Sequence, residues 1–239
     1  SARARRPHEP TAFVVGDGRR AKEYYGVADV IMVDWYPVPH LPLESAGEHV
    51  RLTAAAAGGR KVWAVLQAMD WRDFPQHDPK KPRIGRFPTL AEMRFMTYDA
   101  VLSGAQGVWY FTYSWGPGKS LANYPERLST LTRVARELRA MAPIFSRGRL
   151  LPLPFPSDPA GLSARAWTWR GRDYVVLINP KPTITPAPEE MLASAWRPLF
   201  ESRRDSRELL EKSGQAYSLR PYQVLVLESR FKPRRFLGL

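Results

Sequence analysis

A chain of 239 residues with 44% hydrophobic residues is long enough for one large or two ordinary domains, and its composition excludes a disordered chain. It has no cysteine, which excludes disulfides, cysteine-ligated zinc and thiol catalysis. Its net charge is +13, but the basic residues are scattered in small clusters (3–6, 80–86, 203–207, 232–235) that no nucleic-acid-binding motif organises.

The charge is therefore read as a solvated or partner-facing surface. Nucleic acid is not expected as a partner, and polyanion binding stands as an alternative that rests on charge alone. No apolar run approaches the ~20 residues of a membrane helix, so no membrane span is expected. Residues 1–10 (SARARRPHEP) read as an arm or linker without the apolar stretch of a signal peptide.

The first strand is expected over 11–15, followed by Gly16-Asp17-Gly18 and a short helical segment over 19–25. A second apolar strand over 30–33 ends in Asp34-Trp35-Tyr36-Pro37. Pro37, Pro39 and Pro42 forbid a helix there, so a rigid loop follows, and helical character resumes over 44–57. The third strand, 62–67, runs into a long polar loop over about 70–88. Thr89 and Glu92 form a capping-box signature for a helix whose apolar face is Leu90, Met93, Met96, Ala100 and Val101. Ser103-Gly104 ends that helix, and 107–115 (GVWYFTYSW) reads as a fourth strand.

Strands alternating with helices predict a parallel sheet with crossover helices. An amphipathic helix over about 125–141 closes this part. After Pro143 the pattern changes to short β segments, with 162–169 and 173–178 flanking Arg170-Gly171-Arg172 as a hairpin and 222–228 as a last strand. The expected organisation is an arm (1–10), an α/β part (11–143), a small β-sandwich-like domain (144–230) and a basic tail (231–239).

Candidate site residues lie where the strands end. Asp34 follows an apolar strand and precedes two aromatic rings, which places a carboxyl in a strand-end pocket; a capping role is the alternative. Asp70 offers a second carboxylate; a structural role, usual for a loop aspartate before Trp-Arg, is the alternative. Asp17 is either a ligand-facing carboxylate or ordinary Gly-Asp-Gly turn chemistry. Trp35, Tyr36, Gln67, Tyr113 and Trp115 are expected to bind substrate. Tyr113 and Trp115 share a strand face in this reading. The four histidines, His8, His40, His49 and His77, have no metal-ligand spacing, and neither a metal nor a cofactor is expected.

Three strings carry a resemblance: DVIMVDWYP over 29–37, VWAVLQAMDW over 62–71, and PTLAEMRFMTYDAVLSGAQGVWYFTYSW over 88–115. Together they resemble the C-terminal half of TIM-barrel glycoside hydrolases and their relatives. In that family a strand ending in Asp-x-Tyr-Pro, a strand ending in Gln or Glu, and a P-T-x-x-E-x-R helix leading into G-A-x-G-x-x-Y precede a β-sandwich. The resemblance covers about residues 11–230.

It implies an α/β fold: the second half of a (β/α)8 barrel, about strands five to eight, plus a small all-β sandwich. It implies a hydrolase acting on, or binding, a glycan at the C-terminal ends of the strands. Retaining members place an acid/base Glu after strand four and a nucleophile Glu after strand seven. Strand four lies outside this chain, and the strand-seven position holds Gln67, which is no nucleophile. Asp34 and Asp70 are the local candidates for catalysis. The rival is a non-catalytic relative with a structural or glycan-binding role. The expected partners are a glycan and either a companion N-terminal half-barrel chain or a second copy that closes the sheet. The resemblance also favours a secreted or periplasmic location.

Overall fold

A computed structural model describes residues 9–24, 26–74, 84–154, 161–188, 196–200, 211–213 and 216–229. Most of the expected arm, the middle of the 70–88 loop, the basic tail, His8 and His77 lie outside the described residues. The chain divides into two units, and the division falls between Val134 and Ala135.

The first unit is built on a four-stranded parallel sheet: β1 (Ala12–Val15), β2 (Val30–Trp35), β3 (Lys61–Gln67) and β4 (Gly107–Phe111), in the order β1-β2-β3-β4. The helices α1 (Ser45–Ala56) and α2 (Leu90–Leu102) lie between the later strands, and a 3₁₀ turn (Gly18–Glu23) follows β1. No closed barrel forms among the described residues: β1 and β4 each pair on one side only.

Residues in register share a face of the sheet. Val14, Met32, Trp63 and Gly107 align, as do Asp34, Val65 and Trp109. The opposite face carries Ile31, Val33, Ala64 and Leu66, all essentially buried. It packs against α1 and α2, whose Val50, Met93, Phe95, Met96 and Ala100 are buried too. Each such large aliphatic side chain contributes roughly 2 kcal/mol of burial. The face with Asp34 is covered less. Val14 is 49% exposed and Trp109 57%.

The capping box at Thr89 is present in full, with Thr89 Oγ1 accepting from the Glu92 N–H and the Glu92 carboxylate accepting from the Thr89 N–H. Two expectations need correction. The fourth strand ends at Phe111 rather than running to 115. Gly116-Pro117-Gly118 supplies a turn with positive φ at both glycines, and it folds the rest of the aromatic run into a separate hairpin, β5 (Ser114–Gly116) with β6 (Lys119–Ser120). The last helix, α3 (Pro125–Arg147), passes through Pro143 and stops only before Gly148, whose N–H closes on the Ile144 carbonyl. A proline removes one donor and does not by itself end a helix whose apolar residues Met141 and Ile144 are buried.

The second unit holds two antiparallel sheets. One runs β11 (Trp196–Pro198), β14 (Val224–Ser229), β9 (Arg172–Ile178), β8 (Ser163–Trp169), β7 (Arg149–Leu151); the other runs β10 (Thr185–Pro186), β13 (Ala216–Leu219), β12 (Glu211–Ser213). The β8–β9 hairpin turns at Arg170-Gly171, both at positive φ, the geometry two-residue hairpins require. A core of Leu162, Ala166, Val175, Leu177, Leu225 and Leu227 joins Leu219 of the smaller sheet. Asn179 pins the strand ends, its amide donating to the carbonyls of Thr183, Leu219 and Arg220.

Candidate functional site

All four parallel strands end on the same side of the sheet, so the residues just past each end converge there. Past β1 come Gly16 and Asp17; β2 ends with Asp34 and Trp35, followed by Tyr36; β3 ends at Gln67, with Asp70 beyond; β4 ends at Phe111.

Asp34 is half-buried. Its Oδ2 accepts from the Tyr36 hydroxyl at 3.2 Å, while Oδ1 is buried with no hydrogen-bond partner. Gly16 lies alongside; a Cβ there would stand 3.5 Å from that Oδ1. Burial pushes the Asp34 carboxyl above the usual carboxylate range, and the Tyr36 hydroxyl pulls the other way. Burial, then the neighbouring Asp34 charge, push the Tyr36 hydroxyl up in turn.

Rings cluster around the Tyr36 that bonds this carboxyl. Tyr36 stacks on Phe111 with centroids 5.5 Å apart, Phe74 stacks on Phe111 from another side at 5.8 Å, and Trp71 meets Tyr36 edge-on at 6.1 Å. Phe111, Phe74 and Trp71 were not among the residues singled out from the sequence. Strand alternation could have found Phe111, since it shares a sheet face with Trp109 and pairs in register with Gln67.

Trp35 is on the other side. Alternation turns it toward α1, where it stacks on His49 at 3.6 Å and its indole N–H donates to Ser45 Oγ. His49 Nδ1 accepts from the Gly18 N–H at 2.9 Å, so the ring is neutral with its proton on Nε2. Burial holds its pKa below the ordinary value, with Asp17 opposing. Its 3.4 Å approach to Asp17 is therefore not an ion pair. Asp17 caps the 3₁₀ turn and chelates Arg19; those hydrogen bonds hold its carboxyl down at about 2.

Gln67 is fully buried and uses its amide on backbone. Its Oε1 accepts from the Val38 N–H at 2.8 Å, and its Nε2 donates to the carbonyls of Val38 (2.8 Å) and Met69 (3.2 Å). Asp70 is also fully buried. It caps a 3₁₀ turn (Trp71–Asp73), is chelated by Arg72 and lies 3.5 Å from Arg127. Burial alone would raise its pKa, but the Arg72 hydrogen bonds and the Arg127 charge outweigh it and hold the carboxyl below the usual range. Arg127 also bonds Asp73 and lies over the Tyr124 ring at 4.3 Å.

Tyr113 is exposed beyond the end of β4, and Trp115 stacks on Tyr124 in the hairpin. The structure thus brings Asp34, Tyr36 and the strand-end backbone held by Gln67 into one place. It sets Trp35 and Asp17 on the α1 side and Tyr113 and Trp115 in or beside the separate hairpin. Asp70 sits within an arginine cluster. Among the described residues no group of three or more His, Asp or Glu is placed to hold a metal ion, and no helix is long and apolar enough to cross a membrane.

Chemically, the Asp34 environment retains a proton to higher pH than an exposed aspartate does. Its Oδ1 is an acceptor that lacks a donor but is closed off from solvent, and the aromatic faces beside Tyr36 suit the apolar side of a hydroxyl-bearing ring.

No family model matches the chain. No curated protein matches its sequence. Among solved structures, Amy13B of Eubacterium rectale matches with a TM-score of 0.50 at 11% identity, over 96% of this chain and 54% of that one. An alpha-amylase of Geobacillus thermoleovorans complexed with acarbose matches at 0.39 and 12% identity, over 89% and 63%. An alpha-fucosidase of Thermotoga maritima matches at 0.40 and 13%, over 95% and 46%. The chain spans about half the length of the solved structures it matches. At 11% identity the likeness to Amy13B is one of fold alone.

Proposed function

We propose that this chain is the C-terminal half of a glycoside-hydrolase-type barrel with its β domain, and that it engages a glycan at the strand ends around Asp34. The observation that carries the reading is the Asp34 carboxyl, half-buried, bonded to a Tyr36 that packs on Phe111 and Trp71, with one oxygen buried and unpartnered. A glycan that uncovers Oδ1 on binding supplies its missing donor from a hydroxyl, and the rings take the apolar face of the sugar. In this reading β1–β4 are about strands five to eight, and a companion half-barrel pairs with the open edges of β1 and β4.

If the assembly hydrolyses its glycan, Asp34 in its protonated form gives a proton to the glycosidic oxygen, and a second carboxylate acts as nucleophile or activates water. That second carboxylate comes from the companion half. Asp70 is set in this reading as a structural anchor, because Arg72 and Arg127 hold it ionised and its side chain is 1% exposed. The same observation favours a second reading, a non-catalytic glycan-binding subunit, since this chain then brings one carboxyl and not a pair.

Affinity electrophoresis against soluble starch, xylan and mannan tests the glycan reading. Asp34→Asn keeps the shape and removes the charge. It should weaken retardation about 10- to 100-fold, the worth of a hydrogen bond to a charged group, while leaving the melting temperature unchanged or higher. Unchanged retardation with a large loss of stability would make Asp34 structural. Binding to heparin and DNA in place of these glycans, with steep salt dependence, would point instead to the polyanion alternative.

A further inference from the structure

We infer that Gln67 is a positioning residue that sets the Tyr36–Asp34 hydrogen bond through the backbone of Val38. The inference rests on Asp34 being the carboxyl of the proposed site, and it says how that carboxyl is held.

The residues form one continuous path. Gln67 ends β3 and is fully buried. Its amide grips Val38 at both backbone atoms, accepting from the N–H and donating to the carbonyl, each at 2.8 Å. A third bond, to the Met69 carbonyl, fixes the amide's own rotation. Val38 is itself 1% exposed and stands two residues after Tyr36. The only intervening residue is Pro37, whose ring restricts φ, so a displacement of Val38 is passed to Tyr36 and not absorbed between them. Tyr36 in turn carries the hydroxyl that donates to Asp34 Oδ2. Its ring is flanked by Phe111, which pairs in register with Gln67 across β3 and β4. The Gln67 amide thus acts on Tyr36 through the chain, from the strand position beside the ring that flanks it.

A glutamine suits this task better than an acid or an alkyl chain. It alone offers an acceptor to the Val38 N–H and a donor to the Val38 carbonyl at one reach. A carboxylate would face that carbonyl with like polarity, and an alkyl chain would remove the amide's bonds to three backbone groups.

The test reads Asp34 itself. The carboxyl-carbon NMR shift of Asp34 is followed against pH in the full chain and in Gln67→Met, Tyr36→Phe and the double variant. Gln67→Met keeps the side-chain volume and removes the amide. Losing the Tyr36 hydroxyl should move the Asp34 titration upward, because that hydroxyl favours the charged form. Gln67→Met should move it in the same direction, and the double variant should titrate like Tyr36→Phe alone. Where Gln67→Met does not fold, Gln67→Asn, which stays neutral and keeps an amide too short to grip Val38, serves with the same expectation. An Asp34 titration unmoved by either Gln67 variant, or shifts that simply add in the double variant, would overturn the positioning role. Retardation by soluble starch, xylan and mannan is measured on the same variants. Coupling without glycan retardation by the wild-type chain leaves this inference standing and removes the functional reading; retardation without coupling does the reverse.

Discussion

Asp99 shows how a single buried side chain ties stability to pH. It lies on α2, 7% exposed, and its Oδ2 accepts from the Gly47 N–H near the start of α1. Gly47 packs so closely that a Cβ would fall 2.2 Å from that oxygen. Burial raises its pKa to about 7 from an ordinary 3.8; the Gly47 bond opposes this, and the Glu44 charge facing it from the α1 N-terminus adds to it. The folded state therefore holds a proton that the unfolded chain has released. The stabilisation is complete below 3.8 and is lost as pH rises through about 7. Urea unfolding between about pH 5 and pH 7 should lose stability at up to about 1.4 kcal/mol per pH unit, and Asp99→Asn should flatten that slope. A wild-type slope of opposite sign, unchanged in the variant, would remove Asp99 as its source. Asp17 works the other way: held at about 2 by Arg19, it adds stability above 3.8 that disappears only in strong acid.

At the scale of elements, the 3₁₀ turn after β1 is held to α1 by contacts that leave no room for a side chain at Gly18. A Cβ there would lie 2.3 Å from the His49 carbonyl oxygen and 2.9 Å from Thr53 Oγ1. The Gly18 N–H also supplies the donor for His49, the ring on which Trp35 stacks. Since the obstacle is largely helix backbone, Gly18→Ala should cost about 1–3 kcal/mol, the range for overpacking a tight contact. Thermal unfolding measures it, and Gly26→Ala, where a Cβ meets nothing within 4 Å, is the control. Equal losses at the two glycines would show that close packing is not the cause. The α2 start is different in kind. Its capping box and the Arg86–Glu92 pair are local in sequence, so Thr89 and Glu92 mark the start of that helix by their spacing alone.

At the scale of the whole molecule, the parallel sheet of the first unit has two open edges among the described residues. β1 and β4 have one partner each among the described residues, and the face that carries Val14, Trp63, Trp109 and Phe111 holds exposed aromatic and aliphatic surface. Open parallel edges beside an apolar face favour strand pairing with another polypeptide. Native mass spectrometry of the assembly purified from its source should find this chain together with a companion or a second copy. Backbone amides of Ala12–Val15 and Gly107–Phe111 should exchange more slowly in that assembly than in the isolated chain. A proven monomer with slow exchange along both edges would instead make the four-stranded sheet complete in itself.

Local patterns were legible from the sequence alone: four apolar strands with helices between the later ones, the Thr89 capping box, the Arg170-Gly171 hairpin turn, and Asp34 at a strand end. Each depends on residues a few positions apart, whose backbone preferences act before tertiary contacts form. Tertiary structure decided the rest. Asp70 is locked in part by Arg127, 57 positions away, and Gln67 grips Val38 across 29 positions. No local pattern carries such pairings. The early end of β4 and the passage of α3 through Pro143 followed from turn geometry and burial that a periodicity in apolar residues does not contain. Alternation along β2 parts Trp35 from Asp34, but contact with His49 on α1 is what fixes where that ring lies. Sequence thus determined which residues stand at the strand ends, and packing determined which of them are free to meet a ligand, because a buried polar group is claimed by whichever partner the fold brings within hydrogen-bonding reach.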